Sequence, residues 1–318
     1  MRHQTCMRSI AAKWSRYSAA PLLALVAQQA HAHIASDVPS HHLWMGWSSE
    51  WWLWILIGAA GWLYARGVSR LWRAAATDAG IARWQAASFA AGWLMLVLAL
   101  LSPLDALGGA LFSAHMVQHE LLMIVAAPLM ILGHPLGPWI WALPPAWRKP
   151  VADLCRDAGL QASVRWLTRP LVASIVSVLA LWVWHIPALF TAALRSEWIH
   201  AAQHASFFVS SLLFWWALFA RRIARSSYGA GIFYVFVAGV QSSLLGALLT
   251  FAGTPWYRPY MGTVEAFGLT PLEDQQLGGL IMWIPGGVVY MVIAMVLMSV
   301  WIRAAEADGI RTAARSPF

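Results

Sequence analysis

Cysteine is close to absent from this 318-residue chain, which holds only Cys6 and Cys155. Cys6 falls in a leader-like N-terminus and Cys155 in a basic loop, so neither a disulfide nor a Cys-x-x-Cys metal site is available. Any metal bound here must be held by histidine, methionine or carboxylate. Charge is scarce too, at 11% of residues where a soluble domain carries about a quarter. Apolar side chains take its place: 60% of residues are hydrophobic, 22 are tryptophan, and the mean hydropathy is +0.61. That balance excludes an ordinary soluble domain and predicts an all-α integral membrane protein. The net charge of +8 therefore reads as a topology signal and not as a nucleic-acid footprint.

Residues 1–32 have the layout of a cleaved signal peptide. Arg2, Arg8, Lys13 and Arg16 form a basic region, 19–27 is an apolar run too short to span, and Ala30-His31-Ala32 is an A-x-A cleavage site. An uncleaved amphipathic leader is the alternative. Cleavage leaves 33–49 as an extracytoplasmic segment. A bilayer core needs about 20 apolar residues per helix. Seven segments approach that length, at 50–64, 82–101, 115–132, 171–190, 199–220, 231–251 and 279–302, and predict a single bundle of seven transmembrane helices over 50–302.

The loops between these segments alternate in charge. Arg66, Arg70, Arg73 and Arg83 separate the first two segments, and Arg148, Lys149, Arg156, Arg165 and Arg169 separate the third from the fourth. Arg221, Arg222 and Arg225 follow the fifth, and Arg303, Arg311 and Arg315 lie in the tail, 303–318. The other loops hold only Arg195 and Arg258. The positive-inside rule then places the N-terminus outside and the tail in the cytoplasm. The long connection 134–170, rich in Pro and Trp, is expected to include an interfacial helix.

Five of the eleven histidines, His115, His119, His185, His200 and His204, fall at the same expected end of these segments. Four of them form two His-x-x-x-His pairs, a spacing that puts both rings on one helix face. Ionisable residues inside a membrane are costly and mark sites. The expectation is an outward-facing metal pocket, for which imidazole suits copper, zinc or iron. The competing reading is that the histidines join helices as polar glue.

Several neighbours could serve that pocket. Met116, Met123 and Met282 offer thioethers suited to Cu(I), or simply pack. Glu120 could hydrogen-bond an imidazole or relay a proton, or reach headgroup water. Glu273 and Asp274, just before the last segment, read either as a carboxylate lip that attracts cations or as helix capping. His33, His41 and His42 would stand outside beside the pocket, where a new N-terminal amine at His33 could chelate copper.

The run His115-Met-Val-Gln-His119-Glu-Leu-Leu-Met, with Ala127-Pro128 and Leu132-Gly133-His134-Pro135, resembles the CtaG-type cytochrome c oxidase assembly factors, the polytopic family associated with caa-type oxidases. So do Trp184-His185-Ile186-Pro187, His204 ahead of Phe214-Trp215-Trp216, and Glu273-Asp274-Gln275-Gln276 leading to Gly279 and Trp283. The resemblance covers about 51–302. It implies a bacterial plasma-membrane protein that helps mature a haem–copper oxidase, partnering cytochrome c oxidase subunits in the lipid bilayer at a copper-delivery step. On that reading the chain is not an enzyme. Three other classes stay open: a haem-binding electron-transfer bundle with axial histidines, a histidine-box di-iron enzyme, and a metal-free scaffold for oxidase assembly. The di-iron enzymes need more histidines than the five at membrane depth. A copper transporter would need a polar path continuing to the cytoplasmic side, where only scattered serines stand.

Overall fold

The computed structural model describes residues 46–74, 80–219 and 228–313. The expected leader, His33, His41 and His42, and the basic residues Arg221, Arg222 and Arg225 lie outside the described residues. Each of the seven apolar segments is a helix, with shifted ends. They are α1 (Trp51–Ala74), α2 (Arg83–Leu100), α4 (Phe112–Leu132), α8 (Pro170–Trp184), α10 (Glu197–Phe219), α11 (Tyr228–Thr250) and α12 (Pro271–Ala313). Between them stand short helices: α3 (Pro103–Ala110), α5 (Leu136–Ala142), α6 (Pro145–Cys155), α7 (Ala158–Leu167) and α9 (Pro187–Arg195). The connection 134–170 thus holds three short helices where one was expected.

Among the described residues, α2, α4, α11 and α12 are each long and apolar enough to cross a membrane. Helices α7 and α8, bent by 64° at their junction, make a fifth such element if taken as one span. Helices α1 and α10, of 24 and 23 residues, are long enough but diluted by tryptophan and arginine in one and by histidine and glutamine in the other. The fourth segment stops short of its expected end. Pro187 has no N–H to donate and disfavours helix in the residue before it, so α8 closes at Trp184 and α9 starts afresh.

Indole N–H groups in an apolar medium must find acceptors, and here they tie helices to one another's backbones. Trp93 and Trp139 donate to the Ile57 and Ala60 carbonyls of α1 at 2.9 and 3.1 Å. Trp215 of α10 donates to the Met123 carbonyl of α4 at 2.8 Å. That carbonyl is open for a local reason. Residues Leu121–Ala126 form a π-helical turn, in which each carbonyl looks five residues ahead. For Met123 the residue five ahead is Pro128, which has no N–H. The last two spans pack backbone to backbone, since a Cβ on Gly246 would lie 2.7 Å from the Gly279 carbonyl oxygen.

The two ends of the bundle differ in charge. At one end Arg70 donates to the carbonyls of Trp141, Ala142 and Leu143, and Arg148 reaches Leu143 and Trp141, so cations satisfy the C-terminal carbonyls of α5. The histidines gather at the other.

Candidate metal centre

Helix α4 is started by an acid from far away in sequence. Asp274 of α12 accepts from the Phe112 and Ser113 N–H groups at 2.6 and 3.1 Å and from the Ser113 hydroxyl at 2.5 Å. Free N–H groups at a helix start favour a carboxylate. Asp274 is buried, with its oxygens committed to these donors, so it sets where α4 begins and how His115 and His119 are presented. Glu273 is exposed and caps its own helix through the Thr270 N–H and hydroxyl, each at 2.8 Å. The acids before the last span are capping groups.

All five histidines converge, and all are buried. His115 and His119 lie 4.4 Å apart between ring centroids, and His200 and His204 lie 4.2 Å apart, one turn apart in each helix. Across helices, His115 is 5.3 Å from His200 and 5.5 Å from His204, while His119 is 5.4 Å from His204 and 5.9 Å from His185. One ring nitrogen from each of His115, His200 and His204 comes within 4.8 Å of the others, close enough for a single ion. Among the described residues neither ring nitrogen of His119 has a hydrogen-bond partner, and those of His115 meet only the Gly108 backbone and the Gln203 side chain, outside good hydrogen-bond geometry.

His185 follows the last residue of α8. Its Nδ1 lies 2.7 Å from the Leu181 carbonyl, an acceptor the helix end would otherwise leave open, and its Nε2 has no hydrogen-bond partner among the described residues. An imidazole whose Nδ1–H is held by a carbonyl presents Nε2 as a lone-pair donor, the tautomer metal sites select in this way. Phe190 and Phe207 wall the cluster, 5.0 Å from His115 and 4.4 Å from His119.

Gln203 was not singled out from the sequence. It is fully buried, and its side chain faces His115 while neither its Oε1 nor its Nε2 makes a well-formed hydrogen bond among the described residues. Gln118 donates instead to the Ala99 carbonyl at 2.7 Å and to Asp105 at 2.8 Å. The signal was legible, because both pairs read His-x-x-Gln-His. The loop between α11 and α12 covers the cluster. Tyr257 donates to the His185 carbonyl and Tyr260 to that of Gly108, both at 2.9 Å, and Thr263 donates to Ala110 at 2.8 Å. Tyr257 stacks on Phe112 at 4.7 Å and packs tilted against Phe190 at 4.4 Å between ring centroids. Burial pushes both phenols above the ordinary tyrosine range, so they stay protonated donors.

The other candidates lie elsewhere. Glu120, one residue past His119, turns to α12, where a Cβ on Gly286 would come within 2.9 Å of its Oε2, an oxygen with no hydrogen-bond partner among the described residues. Met116, Met123 and Met282 are buried in the apolar core with Phe112, Leu245 and Leu249. The donor set at the cluster is therefore imidazole, with one buried amide alongside.

The profile of the cytochrome c oxidase caa3 assembly factor family (Caa3_CtaG) matches residues 62–304, a stretch that includes all five clustered histidines. Curated relatives include Uncharacterized protein Mb0105 of Mycobacterium bovis and Uncharacterized protein MT0111 of Mycobacterium tuberculosis, each 27% identical over 268 residues, 78% of this chain and 39% of the relative. Uncharacterized protein ML1998 of Mycobacterium leprae is 26% identical over 233 residues, 69% of this chain and 34% of the relative. The chain thus spans about two-fifths or less of the length of these relatives. No solved structure shows a significant match. The chain belongs to the cytochrome c oxidase caa3 assembly factor family.

Proposed function

We propose that this assembly factor holds a copper ion in the cluster of His115, His119, His185, His200 and His204 and passes it to a subunit of the oxidase. The observation that carries the reading is the convergence of five buried imidazoles from α4, α10 and the end of α8, with the His119 nitrogens and the His185 Nε2 without hydrogen-bond partners among the described residues while the His185 Nδ1 is held. Structural glue would bond those nitrogens to neighbouring helices. Imidazole without thiolate binds copper less tightly than a cysteine site, as a donor requires. His115, His200 and His204 are the nearest set for one ion, with His119 and His185 in reach for a second geometry or for hand-over. A haem site fits less well, because rings packed 4.2 to 5.9 Å apart leave no slot for a macrocycle between them.

On this reading the chain is a non-enzymatic factor of the bacterial inner membrane. It has seven spans, with α1, the bent α7–α8 pair and α10 crossing beside the four most apolar helices. Arg70 and Arg148 mark the cytoplasmic end, which puts the histidines at the extracytoplasmic end. The test is metal analysis of full-length protein from membranes, as wild type and as His115→Ala/His119→Ala. About one copper per chain, lost in a variant that still folds, is the expected result. Iron with a Soret band would reassign the site to haem. No metal after Cu(I) loading under reducing conditions would leave an assembly scaffold.

A further inference from the structure

The positive-inside rule asks for cations at the arginine end of the bundle, but not for several gathered around one point. Arg66, Arg70 and Arg73 follow one another at four- and three-residue spacing and share one stripe of α1. The stripe begins at Trp62, about 17 Å from Arg73 along the helix toward the bilayer core. Trp62, Ala65, Arg66, Ser69, Arg70 and Arg73 line one open recess. Packing adds a fourth cation. Gly67 sits directly on the Pro138 carbonyl, which holds α5 against α1 and sets Arg148 of α6 near Arg70. The charges that act on Arg70 are thus Arg66, Arg148 and Arg73, all of one sign.

Two of the four are compensated. Arg70 gives its Nη1 to the Trp141, Ala142 and Leu143 carbonyls, and Arg148 reaches Leu143 and Trp141. Arg66 and Arg73 are not. Arg73 bonds only to Ser69 of its own helix, at 3.0 Å to the carbonyl and 3.4 Å to the hydroxyl. Arg66 lies 4.9 Å over the Trp62 ring, and its Nε is shut off from water with no hydrogen-bond partner among the described residues. Among the described residues no carboxylate pairs with any of the four.

A buried donor without an acceptor, set among like charges, is a costly arrangement that an anion relieves. Guanidinium forks match phosphate oxygens two at a time. The neighbour decides which phosphate. Trp62 is 58% exposed on the same stripe, so the recess runs from a charged end to an apolar one, as a phospholipid runs from headgroup to acyl chain. A zwitterionic lipid would bring its own cation up to the arginines, whereas an anionic lipid brings none. Basic pockets beside transmembrane helices hold such headgroups.

We propose that this recess binds an anionic phospholipid, its phosphate held by Arg66, Arg70 and Arg73 and an acyl chain laid along Trp62. The site rests on α1 crossing the bilayer, as read above, and does not depend on the copper reading.

The test is native mass spectrometry of the full chain released from detergent micelles, titrated with cardiolipin and, separately, with phosphatidylcholine. One cardiolipin per chain is expected, held at least about tenfold more tightly than phosphatidylcholine. Arg66→Gln/Arg73→Gln should weaken cardiolipin binding at least about tenfold and leave phosphatidylcholine unchanged. Neither side chain bonds outside α1, so the fold should stand. Arg156→Gln/Arg165→Gln removes the same charge from exposed positions before α8 and should leave cardiolipin binding unchanged. Equal affinity for the two lipids, unaltered binding in the folded Arg66→Gln/Arg73→Gln variant, or an equal loss in Arg156→Gln/Arg165→Gln would overturn the proposal. Displacement of cardiolipin by millimolar inorganic phosphate would overturn it too, by assigning the recess to free phosphate. His115→Ala/His119→Ala should keep cardiolipin while losing copper. Cardiolipin held by a chain that takes up no copper would leave this site standing while the metal reading falls.

Discussion

Asp274 offers the sharpest test of how the fold presents the histidines. Its Oδ1 takes two donors from Ser113 and its Oδ2 one from the Phe112 N–H, so three bonds at the start of α4 depend on one buried carboxylate. In Asp274→Asn one of the two terminal atoms becomes an amide donor. The best orientation keeps the Ser113 pair and turns an NH2 toward the Phe112 N–H. A buried N–H then loses its partner, which costs about 1–3 kcal/mol, and the negative charge that favours a helix N-terminus is lost, worth up to about 2 kcal/mol in a buried setting. The sum is about 1–5 kcal/mol for the asparagine variant. Asp274→Ala removes both acceptor oxygens and all three bonds and should cost more, about 4–6 kcal/mol. Ser113→Ala removes only the hydroxyl donor and should cost about 1 kcal/mol. Reversible unfolding in mixed micelles by SDS titration reads the order directly. An asparagine variant as stable as wild type, or an order in which Ser113→Ala costs most, would refute the assignment of Asp274 as the group that starts α4. Because α4 carries His115 and His119, the asparagine variant should also bind Cu(I) more weakly than wild type, and equal affinity would show that the histidines are positioned independently of this cap.

Further expectations can be checked one by one. Trp215→Phe should destabilise by about 1–2 kcal/mol by leaving the Met123 carbonyl without its indole donor, but by less in a Pro128→Ala background, where a backbone N–H becomes available; a double-mutant cycle showing no coupling would dismiss the π-turn account. Gly246→Val should separate the last two spans and cost about 1–3 kcal/mol, visible in the same SDS titration, because a Cβ there meets backbone that cannot rotate away. The phenols of Tyr257 and Tyr260 titrate above their unfolded value near 10, so the roof loop keeps its full stabilisation below about pH 10 and loses it as pH rises past that point. Limited proteolysis of the 253–270 loop should therefore stay slow at neutral pH and accelerate only in strong base. Glutamine at His185 should lower copper occupancy, while Glu120→Gln should leave it unchanged, since Glu120 faces α12.

Local chemistry reaches a long way in this protein. The helical segments and the pairing of His115 with His119 and of His200 with His204 follow from apolar run length and a four-residue spacing, both properties of neighbouring residues that hold in any packing. The break after His185 was equally local, set by a proline two residues on. Even the buried glutamines were written twice in the same motif, although their surroundings were not.

Contacts between distant residues were not legible. Asp274 read from the sequence either as a lip over the pocket or as a cap of its own helix. Its partners lie 162 and 161 residues away, and only the packing of α12 against α4 turns it into the cap of α4. Tyr257 covers His185 from 72 residues away, and the methionines are core because their helices face inward. Arg148 joins the stripe of Arg66, Arg70 and Arg73 only because α5 packs on α1 at Gly67. Composition and spacing by themselves determined a membrane bundle with histidines at one end. Tertiary structure alone decided which nitrogens stay unpartnered, what roofs them and which arginines gather, because those depend on the relative placement of helices that local sequence does not encode.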